Sequence, residues 1–285
     1  MPTLRVRDGE IYYEVHGSGF PLMIFAPGGL RSELAFWRHS PSNPSAPAVW
    51  MDPMAVLSRK YQVVAMDQRN AGRSRAPIFA SDDWHVYASD HLALANHLGL
   101  DRFHVMGGCI GASYCLTLCE LAPNRISAAV LQNPIGYADN RDVFENLVQT
   151  WAKGIREQRP EIDERTLTRF GDNMFGGDFV FSVTREFVRQ CRIPMLVMPG
   201  DDPPHPKVIG EEVAALAPNV EVLRQWKGPE HLETAIGRVT QFLERLHTAL
   251  REFSWTSAVR PSRRPLHELL RMSNFLYAIQ DLHSC

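Results

Sequence analysis

A thiol, a pair of carboxylates and an imidazole stand where they could serve nucleophilic chemistry. In "HVMGGCIGASYCL", residues 104–116, Cys109 lies at the tip of a small-residue turn between an apolar run and a helical pattern. A tip residue between strand and helix is forced into a strained backbone conformation, and its neighbours must be tiny for the two elements to approach; Gly107, Gly108 and Gly111 meet that need. The start of the helix aims unpaired N–H groups at the tip, which favours an anion there and lowers a thiol's pKa. A nucleophile needs a base, and the base needs an orienting group. "PMLVMPGDDPPHP" places Asp201 and Asp202 just beyond a second apolar run, and "VEVLRQWKGPEHLETA" places His231 in a loop after a further one. The order Cys, Asp, His puts all three at the C-terminal edge of a parallel sheet. His205 precedes the final strand and reads as a local or pocket residue, not the base. Cys115 and Cys119 share the helical phase of Ala112 and Leu116 and read as core packing.

The elements that must carry these groups can be followed along the chain. "EIYYEVHG" alternates and ends at Gly17-Ser18-Gly19, which predicts a hairpin into "PLMIFA". "YQVVAMD", "FHVMGG", "ISAAVLQN", "PMLVMPG" and "VEVLRQW" are short apolar runs of the buried-strand kind. "HVYASDHLALANHLGL" and "ASYCLTLCELA" have apolar residues at helical spacing. Strands alternating with helices predict a mostly parallel sheet covered on both faces. Residues 38–53 hold four prolines and predict an irregular loop before a helix near Met54. Residues 135–190 hold helical segments, many aromatics and a Gly176-Gly177 break, which predicts a helical insertion standing over the ligand crevice as a lid. Residues 1–134 and 191–250 then form the core, and 251–285 an extension with an Arg/Pro/Ser-rich linker and a weakly amphipathic segment over 266–282.

Composition excludes several classes of function. At 285 residues with 45% apolar content the chain can bury one sizeable core. A net charge of -2 gives no electrostatic reason to expect nucleic acid or an anionic membrane as partner. No apolar stretch approaches a membrane span, and five cysteines without paired spacing suggest neither a disulfide framework nor a zinc site. The expectation is a cytoplasmic protein with a small-molecule acyl substrate, no cofactor and no metal; self-association as a homodimer is left open.

The residues also carry a resemblance. From about Leu4 to Leu250, with "PGG" at 27–29, "DQRNAGRS" at 67–74, "GGCIG" at 107–111, "GDDPPHP" at 200–206 and "GPEHLE" at 228–233, the chain resembles the α/β-hydrolase superfamily. The resemblance implies the α/β-hydrolase fold, a Cys109–His231–Asp202 triad with Asp201 as the other choice of acid, and a covalent acyl-enzyme. It also implies an oxyanion hole made by the backbone N–H groups of Ile110 and Gly29, with Leu30 as the alternative to Gly29. Pro27 stands where the superfamily usually has a histidine. Thiolate is a strong nucleophile and a good leaving group, so it suits activated acyl bonds. Dienelactone hydrolases and polyhydroxyalkanoate synthases in that superfamily similarly use a cysteine at this turn. An activated ester, lactone or thioester is therefore the expected substrate class, with acyl transfer, or ligand binding without turnover, as alternatives.

Overall fold

The computed structural model describes the backbone of residues 2–41 and 43–258. The chain divides into two units, Met1–Leu246 and His247–Cys285; the account below concerns the first. The amphipathic segment expected over 266–282 lies outside the described residues. In chain order come β1 (Thr3–Val6), β2 (Gly9–His16), β3 (Phe20–Phe25), two 3-10 turns (Gly29–Arg31 and Leu34–Trp37), β4 (His39–Ser40), β5 (Asn43–Pro47), α1 (Pro53–Leu57) and β6 (Tyr61–Met66). Then follow α2 (Trp84–His97), β7 (Phe103–Gly108), α3 (Ile110–Leu121), β8 (Ile126–Gln132), α4 (Arg141–Gln158), α5 (Glu164–Phe175), α6 (Arg185–Gln190), β9 (Met195–Met198), α7 (Lys207–Leu216), β10 (Val220–Val222) and α8 (Pro229–Ala258).

Eight strands form one sheet in the order β1-β2-β6-β3-β7-β8-β9-β10. β1 and β2 pair antiparallel, as do β2 and β6, and from β6 to β10 every pairing is parallel. Central strands need apolar residues on both faces, and every residue of β7 and β8 is buried, which explains their unbroken apolar runs. One face packs Phe25, Val105, Leu131 and Met195 against α2, α3 and the α4–α6 region. The other packs Ile24, Met106, Val130 and Leu196 against Trp226, Val239 and Phe242. Each such side chain contributes about 1.5–3 kcal/mol on leaving water.

The expected hairpin from β2 into β3 does not form, because β6 lies between them and pairs with both. Gly17 and Gly19 serve a close crossing instead: with φ of 74° and 112°, they pass the chain over the α1–β6 connection. A Cβ on Gly17 would lie 2.0 Å from the Ser58 carbonyl oxygen. The proline-rich stretch before α1 contains the short antiparallel pair β4–β5 within its loop.

The insertion between β8 and β9 is helical, as expected. On α4, Phe144, Trp151 and Ile155 are buried, and on α5 Leu167, Phe170 and Met174 are, so each turns an apolar stripe inward. Gly171 lets the helices meet closely: a Cβ there would lie 2.4 Å from Val148 Cγ1. Polar contacts fasten the insertion to the core. Trp84 Nε1 donates to the Met174 carbonyl at 2.9 Å, and Arg159 Nη1 donates to the Ala76 carbonyl at 2.8 Å and to Asn70 Oδ1 at 3.2 Å.

Candidate active site

Cys109 occupies the turn between β7 and α3 with φ 58° and ψ -122°, a conformation that non-glycine residues avoid and that costs on the order of 1–3 kcal/mol. The surroundings over-determine it. Cys109 N–H donates to the Gln132 carbonyl at 3.0 Å and its own carbonyl accepts from Ala112 N–H at 3.0 Å. A Cβ on Gly107 would lie 2.0 Å from the Gly111 carbonyl oxygen, and one on Gly111 2.2 Å from that of Phe25, so both positions exclude any side chain. α3 is buried all round from Ile110 to Cys119, beyond the single face its periodicity suggests.

Backbone N–H groups of Gly28 and Ile110 point at the Cys109 sulfur. Ile110 is one of the two expected oxyanion donors. The second N–H at the sulfur belongs to Gly28, one residue before the expected Gly29; Gly28 has φ 121°. Gly29 and Leu30 lie in the 3-10 turn that follows, where the Cβ space of Gly29 is filled by Leu147 of α4.

The imidazole beside the thiol belongs to His205. Its Nδ1 bonds Asp202 Oδ1 and its backbone N–H donates to the Asp202 carbonyl at 2.9 Å, so imidazole and carboxylate share one turn. Among the described residues, His205 Nε2 is buried with no oxygen or nitrogen partner, and the imidazole faces Cys109. The two groups are close enough for each to shift the other's titration. Burial opposes the imidazolium, but the charge on Cys109 and the bond from Asp202 outweigh it and push His205 up to about 9. Burial likewise opposes the thiolate; the His205 charge and the Gly28 and Ile110 N–H groups prevail and draw Cys109 below the ordinary thiol value. Asp202 is lowered in the same balance: burial raises it, while His205 and Lys227 lower it further.

The structure therefore brings Asp202 together with His205, and holds His231 elsewhere. The segment before α8 is tied down by Trp226, whose Nε1 donates to the Pro199 carbonyl at 2.8 Å, and by Gly228 N–H on the Val49 carbonyl at 3.0 Å. His231 is held in the first turn of α8, with Nε2 3.7 Å from Glu230 Oε1. It lines a separate cleft of about 410 Å³ with Asp201, Lys207, Arg224, Trp226 and Lys227. Asp201, whose side chain is 71% exposed, is bound by Lys227, which also reaches Asp202 Oδ2 at 3.3 Å. The imidazole that sequence reading passed over was visible as a histidine three residues after Asp202 in "DPPH". That spacing closes a turn. Among the described residues no cluster of His, Cys, Asp or Glu could hold a metal ion, and no helix is long and apolar enough to cross a membrane.

An eight-stranded sheet of this order, with a strained residue between its fifth strand and the next helix, defines a class: residues 21–182 match the alpha/beta hydrolase fold, and the chain belongs to that family. RutD of Azorhizobium caulinodans, a candidate carbamate hydrolase by name, is 29% identical over 147 residues, covering 51% of this chain and 49% of its own. The chain thus spans about half the length of that curated relative. Among solved structures, the enol-lactonase of Burkholderia xenovorans LB400 aligns with a TM-score of 0.58 at 19% identity over 85% of this chain and 100% of its own. A thermophilic esterase from Thermogutta terrifontis aligns with a TM-score of 0.60 at 17% identity over 87% and 100%. At these identities the two structures speak for the fold alone.

Proposed function

We propose that this chain hydrolyses an activated acyl bond, in an ester, lactone or thioester, through a covalent intermediate on Cys109. The observation that carries this reading is the single connected group of Cys109, His205 and Asp202 at the C-terminal edge of the sheet. A lactonase and an esterase by name among the structural neighbours, and a relative named for carbamate cleavage, agree with acyl-group chemistry.

The steps follow from the charges. Paired with the His205 imidazolium, the Cys109 thiolate attacks the carbonyl carbon; the C–S bond forms as the carbonyl electron pair moves to oxygen. That oxyanion takes the N–H groups of Ile110 and Gly28, which face the Cys109 sulfur beside it. As it collapses, the bond to the leaving group breaks and His205 Nε2 gives up its proton to the departing atom. Water then attacks the thioester, passing a proton to His205. The second adduct expels the Cys109 thiolate, the acid is released and the ion pair is restored. Asp202 fixes the ring through Nδ1 and stabilises its positive charge without taking the proton. Cytoplasmic location remains part of the proposal; acyl transfer differs only in the acceptor that replaces water.

Turnover of aryl esters, enol lactones and acyl thioesters by wild type, Cys109→Ala, His205→Gln and His231→Gln tests the assignment. The alanine variant should be inactive, His205→Gln should lose about 100-fold or more, and His231→Gln should stay within about twofold of wild type. Loss confined to His231→Gln would restore the base expected from sequence. Product analysis with and without an alcohol acceptor separates hydrolysis from transfer. A failure of every activated ester to acylate Cys109 would favour ligand binding without turnover.

A further inference from the structure

The turn bearing Asp202 and His205 is held from outside, by a residue of the helical insertion. Asn140 lies directly ahead of α4 and is 8% exposed. Its Nδ2 donates to the Pro203 carbonyl at 2.7 Å and to the Gly136 carbonyl at 3.2 Å, while its Oδ1 accepts from Ala138 N–H at 2.9 Å. Pro203 sits between the acid and the base. Neither Pro203 nor Pro204 has an N–H, so the turn cannot brace itself with those groups. On its other side Gly200 leaves no slack, since a Cβ there would lie 2.4 Å from His205 Cβ. The charged groups around the imidazole are Cys109 in front, Asp202 on its own turn, and Lys227 with Asp201 beyond.

We propose that Asn140 is a positioning residue for His205: by fixing the Pro203 carbonyl it sets the aim of the imidazole at Cys109, and so couples seating of the insertion to assembly of the site. A buried amide with both functions paired is geometrically specific, and its loss leaves the Pro203 carbonyl without this donor. The inference rests on the proposed function, in which His205 is the base. Asn173, whose Nδ2 donates to the Ala80 and Asp82 carbonyls at 2.9 and 3.1 Å, fastens the same insertion elsewhere and supplies the control.

The test is the pH midpoint for alkylation of Cys109 by iodoacetamide, mapped to that residue, in wild type, Asn140→Ala, Asn140→Asp, Asn173→Ala and His205→Gln. Both Asn140 variants should move the midpoint upward by about 1 pH unit, toward the His205→Gln value, while Asn173→Ala keeps the wild-type midpoint. If Asn140→Ala does not fold, Asn140→Asp decides, because its carboxylate can still accept from Ala138 N–H but cannot donate to Pro203. An unchanged midpoint in a folded Asn140 variant, or an equal shift in Asn173→Ala, overturns the inference and leaves the proposed function standing. A midpoint unmoved by His205→Gln overturns both.

Discussion

At the scale of single residues, the two aspartates make opposite commitments. Asp202 binds the ring nitrogen of His205, whereas Asp201 faces water and, among the described residues, pairs with Lys227. Asp202→Asn should therefore lower turnover about 10- to 100-fold with the melting temperature little changed, a smaller loss than a serine nucleophile would suffer because a thiol needs less activation. Asp201→Asn should cost less than about twofold. Turnover and thermal melts of the two variants on one activated ester check the contrast, and a reversal would move the acid by one residue. Asp202 and Cys109 were legible because each sits at a strand's C-terminal boundary in a recognisable setting. The placement of His205 was not. Sequence marks His231 as a histidine in the right loop, but only packing reveals that Trp226 and Gly228 tie the segment before α8 to the Pro199 and Val49 carbonyls, and that His205 faces the thiol.

Elements explain which glycines matter. At Gly111 the α3 backbone approaches β3 so closely that a methyl group would meet the Phe25 carbonyl at 2.2 Å, whereas Gly154 in α4 has no atom within 4 Å of its Cβ position. Gly111→Ala should destabilise by about 1–3 kcal/mol through overpacking, and Gly154→Ala should stabilise by about 0.5–1 kcal/mol through helix propensity. Urea unfolding of both variants checks the opposite signs. The sheet's members were legible from β6 to β9, since strands buried on both faces read as unbroken apolar runs, and β10, expected as a buried strand, is a half-buried edge strand. Two features escaped. β1, "TLRV", is a partly exposed edge strand whose charged residue breaks the pattern, and the neighbour of β2 depends on a crossing at Gly17 that no local periodicity encodes.

For the whole molecule, the site's charges tie activity and stability to pH. The His205 value, raised from 6.5 to about 9, contributes stability that is complete below 6.5 and lost as pH rises through about 9. The depressed Cys109 value contributes stability present above the ordinary thiol value of 9.0 and lost as pH falls through the lowered one. The charged pair thus persists between the lowered Cys109 value and about 9, and the acylation rate should rise through the first limb and fall through the second. Disappearance of either limb in His205→Gln checks that both belong to one pair. The most direct test of the central claim is the mass of the protein quenched during turnover of an aryl ester, with the adduct mapped to a residue. The result expected is one acyl group on Cys109 in wild type, formed at the same rate in His231→Gln and far more slowly in His205→Gln. No adduct on Cys109, or an adduct that survives loss of His205 and vanishes with His231, would contradict it.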